Sequence, residues 1–179
     1  GFHYAHVFYI VKTGVSVIYG SVRIDDASLI DVCTEFRNEL RLRHGEVEMI
    51  RVDGLSTTAS RNFREYLNDA LIGRQQTVPY VHQQLGHAES AICRLTSTAV
   101  TMMLQAPPAG APADQWHSAL VCASKTHAAC VSRQHPGEPA SSGADRMGVE
   151  TNLSNMYPFW TPVQFVLDKS VRHGKFSAK

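Results

Sequence analysis

The stretch Val78-Pro-Tyr-Val-His-Gln-Gln-Leu-Gly-His-Ala-Glu-Ser-Ala-Ile-Cys-Arg-Leu95 decides how the chain is read. Gly86 ends a Gln-Gln turn, and a helical pattern starts behind it. Glu89 falls in the first turn of that helix, where the positive end of the helix dipole favours a carboxylate. It is the one carboxylate of the stretch, which raises the question of a partner acid. The partner stands upstream, where Val47–Asp53, VEMIRVD, alternates apolar and polar residues as a short strand and ends on Asp53 before Gly54. Taken singly, Asp53 is a turn residue and Glu89 a helix-start acid. Taken together, a strand-end carboxylate and a helix-start carboxylate can converge on one point if the helix packs against the sheet. Converging carboxylate oxygens suit a hard divalent cation, Mg²⁺ or Mn²⁺. A pair of such ions drives phosphodiester chemistry and asks for a third acid.

Working outward, His3–Val11 and Val15–Arg23 read as two strands of an antiparallel hairpin turned at Lys12-Thr13-Gly14. Asp25-Asp26 opens a helix with Leu29, Ile30, Cys33, Phe36, Arg37 and Leu40 at helical spacing, stopped at Gly45. Ser60 caps a short helix to about Asp69 that buries Phe63 and Leu67. Ile72–Val78 is a further short strand. Two longer helices follow. Gly86–Leu104 has Ala88, Ile92, Leu95, Ala99 and Met102 on one face. Pro112–Val131 has Trp116, Leu120, Ala123, His127 and Cys130 on another. Residues 133–150 are rich in Pro, Gly, Ser and Ala and read as a flexible linker. The segment from Met156 on suggests the opening strands of a small β module. The order predicts an α/β fold, a mixed sheet flanked by helices.

The bulk numbers agree with a domain that buries a core. The 179 residues are 44% hydrophobic and 18% charged, with a net charge of +1. That balance neither announces nor excludes a nucleic-acid partner, because a basic face can hide in a neutral total. No apolar run is long enough to span a membrane. Residues 1–11 lack a basic n-region, and the missing initiator Met suggests a piece of something longer. Cys33, Cys93, Cys122 and Cys130 form no Cys-x-x-Cys pair, so they read as buried free thiols in a reducing compartment. No nucleotide-binding glycine loop or nucleophile elbow is present.

The block Pro79-Tyr80-x-x-Gln83-Gln84-x-Gly86-x-Ala88-Glu89, preceded by the strand-end Asp53, resembles the catalytic core of retroviral-type integrases, specifically those of copia-type retrotransposons. The spacing of the two acids, the helix beginning near Ala113 and the passage toward a C-terminal barrel are similar as well, so the resemblance spans essentially the whole chain. It implies an RNase H-like core over residues 1–132, a linker over 133–152 and a partial C-terminal β-barrel over 153–179. It further implies a triad of two Asp and one Glu holding Mg²⁺ or Mn²⁺. The implied activity is 3′-end processing and strand transfer, joining element ends to target DNA, carried out by a homo-oligomer in the nucleus or cytoplasm. Asp53 and Glu89 carry over as catalytic and metal-binding residues. The first Asp of the family lies on a strand upstream of Gly1, and Asp25, Asp26 and Asp31 do not replace it.

Further contacts to DNA are expected from Gln83, Gln84, His82, His87 and Arg94, and from the basic tail, Lys169, Arg172 and Lys175. The charges from Arg37 to Arg51 alternate with Glu35, Glu39, Glu46 and Glu48, which points to surface ion pairs. The chain departs from the family at Gly54–Thr58, at Leu85 and at Ser90, where the family carries acidic, aromatic, amide and basic side chains. The expectation is weak metal binding and little strand transfer from this fragment. The alternative is a catalytically inactive RNase H-like module that binds nucleic acid or protein.

Overall fold

The computed structural model describes residues 1–52, 58, 60–76, 86–107, 109–132, 140–149 and 156–161. Strands β1 (Tyr4–Ile10) and β2 (Val15–Ser21) form the expected hairpin, in register Phe8↔Val17 and Val7↔Ile18. Gly14, at φ 71°, closes the turn in a left-handed conformation open to glycine, and its N–H donates to the Ile10 carbonyl at 2.8 Å. Side chains alternate across the pleat, and both faces are apolar. Ala5, Val7 and Ile18 face the two long helices. Phe8, Ile10, Val17 and Tyr19 face the first helix. The hairpin is therefore the middle of three layers.

Helix α1 (Asp26–His44) starts at Asp25, whose Oδ1 accepts the Ser28 N–H at 2.9 Å. It buries Val32, Cys33 and Phe36, and the Phe36 ring stacks on Phe8 with centroids 4.3 Å apart. Burial pushes the Cys33 thiol up to about 12, so it is an inert packing group. On the outer face Arg37 and Arg41 both reach Glu46, at 3.4 and 2.8 Å, which are the surface ion pairs that the alternating charges predict.

Strand β3 (Met49–Val52), helix α2 (Arg61–Asp69) and strand β4 (Gly73–Gln76) form a parallel βαβ unit. Ser60 caps α2 as its position requires, accepting the Phe63 N–H at 3.1 Å. Phe63 and Leu67 pack with Cys33, Val52 and Ile72 in one apolar cluster. The helix ends with the Ile72 N–H donating to the Leu67 carbonyl at 2.8 Å, and Leu71 sits between at φ 56°. A leucine in this left-handed position strains the backbone by about 1–2 kcal/mol, and at 90% exposure its side chain recovers none of that. Leu71→Gly is therefore expected to stabilise the protein by about 0.5–1 kcal/mol, read as a higher urea midpoint at unchanged slope.

Helix α3 (Gly86–Gln105) packs against helix α4 (Trp116–Ala129), which a single 3-10 turn at Ala113–Gln115 introduces. Their shared core is Leu95, Ala99, Ala119, Ala123 and Ile18. Small side chains at the contact let two helix axes come close. Buried Ser124 donates its hydroxyl to the Ser16 carbonyl and ties α4 to β2.

The structure differs from the sequence reading in four places. The buried face of α3 runs through Ala91, Leu95 and Ala99, whereas Ile92 is 44% exposed. On α4 it runs through Ala119, Ala123, Ser124 and Ala129, leaving Cys130 exposed. Of the four free cysteines only Cys33 is buried; Cys122 is half-buried and Cys93 and Cys130 are exposed. Within the stretch expected to be a linker, β6 (Ser141–Ser142) pairs with β5 (Val131–Ser132), and α5 (Gly143–Arg146) follows. A capping box starts α5: Ser142 accepts from the Asp145 N–H, and Asp145 accepts in return. Arg146 Nε donates to the Thr13 carbonyl at 2.8 Å, and a Cβ on Gly143 would lie 2.6 Å from Val15. Close approach to β2 thus requires glycine there. Of the expected barrel, only residues 156–161 are described. They form a turn, with Phe159 packed against the α3–α4 core.

Candidate metal and nucleic-acid site

Glu89 lies in the first turn of α3 with its side chain exposed. It makes no hydrogen bond or ion pair with any described residue. An exposed carboxylate at the positive end of a 20-residue helix suits a hard divalent cation. The structure also places the residue before the other acid: Val52 closes β3 with its side chain 9% exposed, anchored in the cluster around Phe63. Asp53 itself lies outside the described residues. So do His82, Gln83, Gln84, Lys169, Arg172 and Lys175. Among the described residues, no group of three His, Cys, Asp or Glu side chains comes together as a metal site.

Asp25 and Asp26 are engaged elsewhere. The Ser28 N–H holds the Asp25 carboxyl below the usual carboxylate range, and Asp26 accepts from Asn62 Nδ2 at 3.3 Å. Both serve the start of α1, as the sequence suggests. Asp31 is exposed on the same helix.

His87 is exposed, and its ring stacks on Tyr9 of β1 at 6.1 Å and 7°. This contact fixes the first turn of α3 against the hairpin. Arg94 is exposed, and its Nη1 donates to Ser90 Oγ at 3.1 Å. Helical side chains lean toward the N-terminus, so a cation rooted at 94 stands over position 90.

Three histidines are held neutral by their surroundings. Burial lowers the proton affinity of His6, which bonds Ser21 Oγ at 2.9 Å. Burial does the same at His117, whose ring lies 4.6 Å from Phe2 and against Gly20. At His127 burial and the nearby Arg94 charge act together, and its Nε2 lies 2.8 Å from Thr98 Oγ1. Sequence reasoning assigned His127 to the core of α4 and passed over Ser97 and Thr98. Their grouping arises only when two helices meet.

No helix of the described residues is long and apolar enough to cross a membrane. No family model matches the chain, and no curated protein matches it. Solved structures do. A chain of the simian T-cell lymphotropic virus intasome, in complex with the PP2A regulatory subunit B56 gamma, matches 91% of this chain at 18% identity and a TM-score of 0.66. The match covers 54% of that chain, so the present sequence spans about half its length. The HTLV-2 integrase catalytic core domain, in a dimeric form with magnesium, matches 73% of this chain and is itself 79% covered, at 17% identity and a TM-score of 0.53. The mixed α/β arrangement of hairpin, βαβ unit and paired long helices is thus the RNase H-like fold of integrase catalytic cores.

Proposed function

We propose that the chain is the catalytic-core portion of a retrotransposon integrase of the copia type, in a lineage that processes the 3′ ends of element DNA and joins them to target DNA. The observation that carries this reading is the exposed Glu89 carboxylate, which has no hydrogen-bond or ion-pair partner among the described residues, at the head of α3 in a fold shared with integrase cores. In this reading Glu89 and Asp53 each offer carboxylate oxygens to a divalent cation. The positive end of the α3 dipole favours negative charge at Glu89, and Val52, buried in the cluster around Phe63, fixes the end of β3. A bound Mg²⁺ or Mn²⁺ supplies Lewis-acid polarisation of a scissile phosphate and a more acidic attacking water. A third acid completes the set in this reading, held on a strand between β1 and β3. Strands β1 and β3 are not neighbours in any sheet of the described residues, which is compatible with such a strand between them. His87, His82, Gln83 and Gln84 meet DNA near the acids, Arg94 meets it from further along α3, and Lys169, Arg172 and Lys175 meet it from the tail. The protein acts inside the cell as a homo-oligomer.

A second reading is an RNase H-like module that binds nucleic acid or protein without turnover. It is favoured by the loss of the family's acidic and aromatic side chains at Gly54–Thr58. One experiment separates the two. The chain is extended upstream by a strand carrying the first Asp and assayed for Mn²⁺-dependent nicking and strand transfer. Glu89→Gln is expected to lower activity by about a hundredfold or more, above the 10–100-fold typical of outer-shell losses, with DNA binding retained. Asp53→Asn should behave alike. Salt-sensitive DNA binding with no turnover in the unmutated extended chain would establish the module instead.

A further inference from the structure

Away from Glu89, α3 and α4 enclose a shallow groove lined by Cys93, Arg94, Ser97, Thr98 and His127. Its chemistry is lopsided. Arg94 makes no ion pair with a described carboxylate; the ion pairs of the described residues are Arg37–Glu46, Arg41–Glu46 and Arg61–Glu65. Helix α4 carries no acid along its length, and α3 carries only Glu89. Arg94 follows Glu89 by five residues, about 7.5 Å along the axis and about 140° around it, so the acid stands on another side of the helix. The groove is thus walled by a guanidinium, two hydroxyls, a thiol and an imidazole, all able to donate and none anionic.

We propose that this groove is an oxyanion seat for a phosphate group, with Arg94, Ser97 and Thr98 donating to it and His127 closing it from α4. A guanidinium offers two parallel N–H groups in the spacing of two phosphate oxygens. Thr98 Oγ1 lies 2.8 Å from His127 Nε2. If Nε2 carries the imidazole proton, Thr98 accepts it and turns its own O–H into the groove. An anion set between Arg94 and His127 also relieves the unfavourable field that the arginine exerts on the ring. The phosphate has two possible sources, the backbone of a DNA strand or a free phosphate ion. The seat requires neither Glu89 nor a metal ion, so it stands or falls apart from the catalytic reading.

The test titrates inorganic phosphate, and separately a short DNA duplex, into the full chain at constant ionic strength without divalent metal. The imidazole resonances of His127 serve as the reporter. The expected result is a saturable shift that Arg94→Gln weakens about tenfold, the loss of one charge-assisted hydrogen-bonded pair. Arg94 is exposed, so the variant keeps the fold, and Arg94→Lys, which keeps the charge without the fork, should fall between. Saturation by both ligands in competition assigns the DNA backbone as the source. Saturation by phosphate that the duplex does not displace assigns the free ion. A shift that grows without saturating for both ligands, or is unchanged in Arg94→Gln, overturns the proposal.

Discussion

Phe63→Ala is expected to destabilise the protein by about 3–5 kcal/mol, the largest effect of any single truncation considered. Phe63 is 1% exposed and stands at the centre of the cluster that joins α1, α2, β3 and β4. Truncation would remove a ring from a site walled by Cys33 of α1, Val52 of β3, Leu67 of α2 and Ile72 just before β4, which are poorly placed to collapse inward. Against a typical domain stability of about 5–15 kcal/mol, such a loss leaves little in reserve. Urea unfolding followed by circular dichroism measures it. A loss under about 1 kcal/mol would mean that the cluster is looser than its burial implies. Phe63→Leu, which keeps most of the volume, should cost much less. Val52 belongs to this cluster and precedes Asp53, so any catalytic activity of the extended chain should fall with the same substitution even where the protein remains folded.

Leu95→Ala is the second large loss, about 2–5 kcal/mol. Leu95, 2% exposed, is the largest buried side chain that α3 brings to α4; it shares that core with Ile18, Ala99, Ala119 and Ala123. The converse substitution, Ala123→Leu, overfills a fully buried position and should cost about 1–3 kcal/mol by forcing the helices apart. The two changes have opposite volume and share one core, so the double variant should be more stable than the sum of the single losses predicts. Denaturation of all four proteins of the cycle gives the coupling directly. Additivity within about 0.5 kcal/mol would show that the two side chains do not share space.

Much of the fold was legible because its signals are local. Ser60, Phe63 and Leu67 announced α2, and Asp25 with its helical stripe announced α1, because a cap and a period of 3.6 need no distant partner. The hairpin followed from two β-rich runs around Gly14. The misreadings have a common cause. Ile92 drew the buried face of α3 toward itself, whereas the contact with α4 is made of alanines, which carry little hydropathy. The segment Ser141–Arg146 looked like linker because its composition is small and polar; its order depends on Gly143 meeting Val15 and Arg146 meeting Thr13, far away in sequence. Cys93 and Cys130 were assigned to the interior on composition and lie on the surface. The place of Glu89 in the first turn of α3 was legible from the helical pattern behind Gly86. The Arg94–Ser90 bridge and the Thr98–His127 pair were not, since neither periodicity nor spacing says which way a side chain leans.

The described β-structure falls into three pairs of strands, and the separation of the two backed by α1, β1–β2 and β3–β4, bears on how the protein opens. Among the described residues no ladder of amide hydrogen bonds crosses this seam, so the resistance to parting is supplied by side chains, Phe8 and Val47 by packing and Asn62 and Tyr66 by hydrogen bonds to α1. Deuterium uptake should therefore reveal two blocks of protection that come apart at different free energies, one containing the hairpin with the long helices and the other the βαβ unit. In the proposed reading Asp53 and Glu89 share one divalent ion, which would act as a clasp and gives metal binding a mechanical consequence: it should slow the parting of the blocks before it changes the exchange inside either one.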